Sequence, residues 1–252
     1  MIVTNDTQTT AVEFPVNPWS GGPTVRSMTL VVAHRGASAA FPPGNTIEAF
    51  LGAVQEQADW VELDVHLTAD GQVVVHHDPV LADGGVIGEM ERAQLPSFVP
   101  TLREAMDACG PLSINVEIKP DGPDALRPRL IDEVVALLNA ADRSDRFLVT
   151  SFDHDVVDAV RALDPGLPTG LLLFDGSRDR VLDRAEANGH VAINPWAPLV
   201  DEEFVERAHS CGIGVNVWTV DDPEQFRLLR AMNVDSIITN VPLLCRTVLN
   251  EG

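Results

Sequence analysis

Strand-like runs alternating with amphipathic helical stretches over about 225 residues predict an α/β fold, a (β/α)8 barrel of the TIM type. Three observations carry that prediction. Eight apolar runs of strand length recur along the chain with helix-period stretches between them. No G-x-G-x-x-G follows the first of them, which argues against a doubly wound open sheet. Polar residues end strand after strand instead of gathering at one switch point, as they do where strand ends converge on one barrel mouth.

Taken in order, residues 1–28 are polar and broken by Pro15, Pro18, Gly21, Gly22 and Pro23, so a disordered or extended N-terminal tail is expected, with the barrel domain over 29–252. The apolar run Met28 to Ala33 reads as a buried strand ending in His34-Arg35-Gly36. Pro42 to Gly44 make a turn, Asn45 or Thr46 caps a helix, and Ile47, Phe50, Leu51 and Val54 supply its apolar stripe. Trp60 to Pro79, WVELDVHLTADGQVVVHHDP, reads as a strand, a hairpin and a return. Residues 80–100 are an irregular insertion after this second strand, with Asp83-Gly84-Gly85 and two prolines. Thr101 starts a short helix through Cys109, and Leu112 to Lys119 is a strand with Asn115, Glu117 and Lys119 on one face at period two. A helix follows from about Asp124 to Ala140. Further strands are expected at Phe147–Ser151, Thr169–Phe174, Val191–Ile193, Gly214–Trp218 and Ser236–Thr239, with helices between them and after the last.

Composition excludes several classes of function. A formal charge of −21 repels a nucleic-acid backbone over most of the surface. No apolar run reaches the length of a membrane span, and residues 1–28 have neither a basic n-region nor an apolar h-region, so a cytoplasmic protein is expected. Cys109, Cys211 and Cys245 are too few and too scattered for a disulfide framework or a zinc cage. Lys119 is the single lysine among 17 basic residues, which suggests a position that wants a compact point charge.

The chemistry concentrates on the second strand. Glu62 and Asp64 stand two residues apart, so their carboxylates leave one face, where a strand normally buries apolar side chains. Two such groups repel unless a cation lies between them, and a divalent ion with hard oxygen ligands fits. Asp70-Gly71 signals a two-residue hairpin whose register sets Asp64 opposite His77, with His76 on the other face. His66 continues the acidic face but approaches the turn, and reads as solvated. Singly, each of these residues has a structural explanation as a solvated acid or a packed imidazole. Together with Glu117 and Lys119 at another strand end, they converge on one mouth with His34, Arg35 and Trp218.

With these pieces in place the chain resembles the glycerophosphodiester phosphodiesterase family. The resemblance runs through HRGAS at 34–38, PGNTIEAF at 43–50, ELDVHLTADGQVVVHHDP at 62–79, NVEIKP at 115–120, SFDHD at 151–155, VNVWTVDD at 215–222 and SIITNVP at 236–242. It implies a barrel hydrolase that splits a small glycerophosphodiester into glycerol 3-phosphate and an alcohol with one divalent cation, Mg2+ or Ca2+. By motif position it places the metal carboxylates on Glu62, Asp64 and Glu117 and the catalytic histidines on His34 and His77. Arg35 and Lys119 would bind the phosphate, and Trp218 would wall the pocket. The chain departs from the family pattern at Gly44, where Glu is common, and at Asn240, where Asp is common. A lipid-directed phosphodiesterase of the same fold, and a non-catalytic barrel that binds phosphodiesters, are the alternatives.

Such a set suits phosphodiester cleavage. Three carboxylates around a divalent ion leave one negative charge, and two fixed cations with a protonated histidine make the mouth attractive to an anion inside an acidic protein. Two histidines can divide the proton transfers because imidazole titrates near neutral pH.

Overall fold

The computed structural model describes residues 28–120, 126–141 and 146–251. The expected tail, Met28 excepted, and the start of the helix expected from about Asp124 lie outside the described residues. The first part of the chain runs β1 (Leu30–His34), α1 (Ile47–Gln55), β2 (Trp60–Leu67), β3 (Val73–Val75), α2 (Leu102–Ala108), β4 (Ser113–Ile118), α3 (Arg127–Asn139), β5 (Phe147–Ser151) and α4 (His154–Leu163). It continues as β6 (Thr169–Leu173), α5 (Arg178–Asn188), β7 (Ala192–Pro195), α6 (Glu202–Ser210), β8 (Gly214–Val217), α7 (Pro223–Ala231), β9 (Ser236–Thr239) and α8 (Pro242–Asn250). The strands pair in the order β1-β9-β8-β7-β6-β5-β4-β2, and β1 pairs with β2 to close the barrel. All of these pairings are parallel; β3 is an extra strand antiparallel to β2.

Parallel strands covered on both faces must be buried throughout, and β2 and β4 to β9 are. Six of the eight described α-helices begin where a capping side chain satisfies free backbone N–H groups. Thr46 accepts from Ala49 N, and Thr101 and Glu104 form a reciprocal capping box. Asp153, Ser177, Asp201 and Asp222 cap α4, α5, α6 and α7.

Period two sorts β2 into two roles. Val61, Leu63 and Val65 join the apolar layer containing Phe50 of α1 and Leu102 of α2. The alternate residues face the barrel interior, where Trp60 packs with Val32, Leu148, Ala192 and Ile238 as a floor. Further side chains inside the barrel are polar and hydrogen-bonded to one another: Thr150 Oγ1 donates to Asn115 Oδ1 at 2.9 Å, Asn216 Nδ2 to Asn194 Oδ1 at 3.0 Å and Ser236 Oγ to Asn216 Oδ1 at 2.7 Å.

The hairpin differs from its expected register by one residue. Val65 pairs with Val75 and Leu67 with Val73, so the residue opposite Asp64 is His76, whose N donates to Asp64 O at 3.1 Å. The cause is the turn. Thr68 N donates to Gln72 O at 3.0 Å, leaving three residues in the loop, and Gly71 takes φ +84° as the left-handed residue of that loop. Thr68 Oγ1 ties the loop together by donating to Asp70 Oδ1 at 2.5 Å and accepting from Gln72 N at 2.8 Å. His66, expected in solvent, is buried, with Nε2 3.1 Å from the carbonyl of His77. The segment after β3 covers it. That insertion contains short 3-10 turns at Ile87–Glu89 and Arg92–Gln94, and its Leu81, Ile87, Leu95 and Val99 pack with Val74 of β3 in a small separate core.

Candidate active site

The neighbouring strands β2 and β4 bring Glu62, Asp64 and Glu117 together. One oxygen from each lies within 4.8 Å of the others, and all three residues are buried. The register places Asp64 beside Glu117 and His34 beside Glu62, so parallel pairing itself assembles the cluster.

Just beyond β1 the backbone turns sharply, with Arg35 at φ 57° and Gly36 at φ 79°. A Cβ on Gly36 would sit 2.5 Å from the carbonyl carbon of Ala49, so only glycine permits this approach to α1. The turn directs Arg35 N to Glu62 Oε2 at 3.1 Å and its Nε to within 3.4 Å of Asp64 Oδ2. Across the mouth, Lys119 Nζ lies 3.1 Å from Asp64 Oδ1 and also contacts Glu117 Oε1. Asn45, free of helix capping because Thr46 performs it, donates Nδ2 to Asp64 Oδ2 at 2.7 Å.

These neighbours divide the three acids. Burial raises the pKa of Asp64, but Lys119 and Arg35 outweigh it and hold the group below the ordinary carboxylate range. Burial, reinforced by Asp64 and then Glu117, pushes Glu62 well above that range. Burial and Asp64 likewise push Glu117 up to about 7. Lys119 also feels burial, which favours its neutral form, yet Asp64 and Glu117 prevail and raise its pKa. Glu62 Oε1 is buried without a hydrogen-bond partner. An orphaned oxygen among crowded carboxylates, two of them reluctant to ionise, is the signature of a site that fits a cation beyond Lys119 and Arg35.

His34 reaches the same place, with Nε2 3.9 Å from Glu62 Oε2. Its Nδ1 lies 2.7 Å from Asn240 Oδ1, which also accepts from Ser38 Oγ at 2.8 Å. Asn240 is held in turn by Asp221, with Nδ2 donating to Oδ2 at 2.7 Å and N donating to Oδ1 at 2.8 Å. That orientation leaves an oxygen toward His34, so Nδ1 carries the proton and Nε2 keeps its lone pair. Burial, then the charge of Arg35, lower the pKa of His34 to about 4.

Despite the shifted register, His77 remains at the mouth, because regular alternation stops at Val75. It is an electrostatic neighbour of both His34 and Asp64, and its Nδ1 lies 2.8 Å from Asp78 Oδ1. His76 turns its Nδ1 to Asp78 O at 2.7 Å. Trp218 is half-buried, its Nε1 donating to Asn194 O at 2.6 Å and its ring edge-on to Phe152 at 5.4 Å.

The structure thus gathers Glu62, Asp64, Glu117, Arg35, Lys119, His34 and His77 at one mouth. Sequence reasoning missed the parts played by Asn45 and Asn240. Asn240 had stood out only as a departure from the family pattern, and Asn45 only as a possible cap.

Comparison with known proteins agrees with this geometry. The glycerophosphodiester phosphodiesterase of Caldanaerobacter subterraneus subsp. tengcongensis is 30% identical over 244 residues, covering 89% of this chain and 99% of the relative. The crystal structure of a glycerophosphodiester phosphodiesterase from Thermotoga maritima superposes with a TM-score of 0.76 at 29% identity, covering 88% of this chain and 99% of that one. An Oleispira antarctica phosphodiesterase, solved in complex with the product sn-glycerol-3-phosphate, shares the fold with a TM-score of 0.82 at 24% identity, covering 89% and 98%. The model of the glycerophosphoryl diester phosphodiesterase family matches residues 34–244, from the first histidine at the mouth into the last helix, and the chain belongs to that family of phosphoric diester hydrolases.

Proposed function

We propose that the chain hydrolyses small glycerophosphodiesters to glycerol 3-phosphate and an alcohol, with one magnesium or calcium ion on Glu62, Asp64 and Glu117 and with His34 and His77 moving the protons. The convergence of three carboxylate oxygens within 4.8 Å carries the reading, with His34 Nε2 beside them. The product complex of the Oleispira relative supports the choice of substrate. An all-oxygen set favours magnesium or calcium over zinc. When bound, such an ion neutralises the carboxylates and polarises the phosphate oxygens.

The chain's own residues supply the rest. Arg35 and Lys119 offset the charge of the phosphate and orient it. His34, neutral with its Nε2 lone pair toward the mouth, takes the proton of the attacking hydroxyl as oxygen bonds to phosphorus. Attack by water gives glycerol 3-phosphate directly, and attack by the neighbouring glycerol hydroxyl gives a cyclic phosphate that water then opens to it. His77 delivers a proton to the alcohol oxygen as the other phosphorus–oxygen bond breaks, so an alcohol leaves instead of an alkoxide. Trp218 walls the pocket. Asn240 acts through His34 as a positioning residue. Asn240→Ala is expected to lower kcat about tenfold with little change in KM, whereas a role confined to packing moves stability instead.

Release of glycerol 3-phosphate from glycerophosphocholine, coupled to its oxidation and followed with and without EDTA, tests the proposal. Release that stops with chelator and returns with magnesium or calcium is expected. Tight binding without release across several glycerophosphodiesters selects a binding barrel instead.

Proton linkage gives a second check. The metal-free protein holds Glu117 protonated below about 7, well above its ordinary 4.5, so ionising it in the fold is costly. An acid with a raised folded-state pKa stabilises below its unfolded value and loses that contribution as pH rises through the folded one. Between about pH 4.5 and 7 the Glu117 contribution is therefore expected to fall while that of His34, lowered from 6.5 to about 4, rises, so the thermal stability of the metal-free wild type is expected to decline over this range relative to that of Glu117→Gln. Metal binding is expected to release protons near neutrality and to tighten as pH rises, measurable by calorimetry in buffers of different ionisation enthalpy.

A further inference from the structure

The mouth has two halves of opposite character. The charged groups lie on β1, β2 and β4, while Phe152, Phe174, Trp196 and Trp218 follow β5, β6, β7 and β8. Phe152 is 43% exposed, Phe174 52% and Trp196 37%, unusually open for large rings. They form a continuous row: Phe152 meets Trp218 at 5.4 Å, Trp218 meets Phe174 at 6.2 Å, and Phe174 meets Trp196 at 4.9 Å between centroids. Lys119 joins the row to the acids, its Nζ 5.6 Å from the centre of the Phe152 ring and 3.1 Å from Asp64.

The row is held rigidly. Trp196 N donates to Leu173 O at 2.7 Å, Trp218 N to Pro195 O at 3.2 Å and Ala197 N to Trp218 O at 3.0 Å, so β7–β8 pairing runs on past the strands. The Trp218 indole N–H is spent on Asn194 O. Beyond Trp196 the loop stays apolar, reading WAPLV over 196–200.

We infer that this ledge is a specificity subsite for an uncharged, apolar arm of the phosphodiester, a hydrocarbon lying across Phe174 and Trp196 while the phosphate sits at the charged half. The inference rests on the phosphodiesterase reading of the site. A cationic arm fits less well: the ring nearest the phosphate already faces the Lys119 ammonium, and Phe174 lies against two indoles, stacked on Trp218 and tilted on Trp196, which leaves no open aromatic cage. An apolar arm gains by covering exposed ring surface beside a centre that binds its charged end. The hydrocarbon can belong to the leaving alcohol or to an acyl group on the glycerol.

The test compares glycerophosphoglycerol with two apolar-armed diesters, glycerophosphohexanol and 1-hexanoyl-glycerophosphocholine, in the wild type and in Phe174→Ala and Trp196→Ala. The wild type is expected to show the lower KM for at least one hexyl-bearing substrate, and which one identifies the source of the arm. Each variant is expected to raise that KM about tenfold, with kcat and the glycerophosphoglycerol parameters held within about twofold. Trp196→Phe is expected to restore most of the preference. No preference in the wild type, or equal losses on every substrate, overturns the inference. Binding of hexylphosphonate, followed by tryptophan fluorescence, separates the two readings. If no diester is cleaved, the phosphodiesterase reading fails, and the ledge then stands only if Phe174→Ala weakens hexylphosphonate binding.

Discussion

Lys119→Met is expected to lower kcat by about 100- to 1000-fold, because it removes a buried positive charge from the place where phosphate charge must be offset in the transition state. The substitution keeps the length of the aliphatic stem, so packing is largely retained. Lys119 lies against both Asp64 and Glu117 with its side chain only 12% exposed. Without it, Arg35 alone faces three buried carboxylates, and removing one partner of a buried ion pair typically costs about 3 to 5 kcal/mol. Part of that cost is escaped here, since Glu117 already accepts a proton near neutral pH. The metal-free variant is therefore expected to melt earlier than the wild type and to recover with millimolar magnesium or calcium, while turnover stays low. That split between stability and rate is the informative result. Turnover near the wild-type value in a folded, metal-loaded variant would remove Lys119 from the mechanism.

His34→Gln and His77→Gln are each expected to cost about 100- to 10,000-fold in kcat, the range for losing a positioned general acid or base. The two losses differ in kind. A glycerophosphodiester with a p-nitrophenol leaving group needs no proton on its departing oxygen, so it is expected to restore much of the His77→Gln rate and little of the His34→Gln rate. The reverse pattern would exchange the two roles. The assignment follows from His34 being neutral, its Nδ1 proton directed to Asn240 and its Nε2 lone pair to the mouth. Chelation by EDTA is expected to leave the folds of the wild type and of both variants intact and to abolish the remaining turnover.

Much of this was legible in the residues themselves. Buried parallel strands read as apolar runs, and period two by itself puts Glu62 and Asp64 on one face. Glu117 and Lys119 followed by the same alternation on β4, and their meeting with Asp64 required only that the two strands lie side by side. Less was legible in the hairpin. Asp70-Gly71 suits a two-residue turn, but Thr68 hydroxyl bonds close a three-residue loop, and a one-residue slip reverses every facing assignment beyond it. His77 still arrives at the mouth because the chain leaves strand geometry after Val75, something alternation could not foresee.

What the sequence determined alone was periodic: strand and helix positions, the faces of β2 and β4, and the kinds of charge available to the mouth. Tertiary structure decided what depends on contact between distant segments. His34 meets Asn240 across 206 positions in the chain, Asn45 gives up the helix cap to reach Asp64, and the insertion after β3 buries His66. The order of ionisation among three similar carboxylates was settled there too, because a pKa responds to burial and to charges a few ångströms away, and local sequence spacing encodes neither.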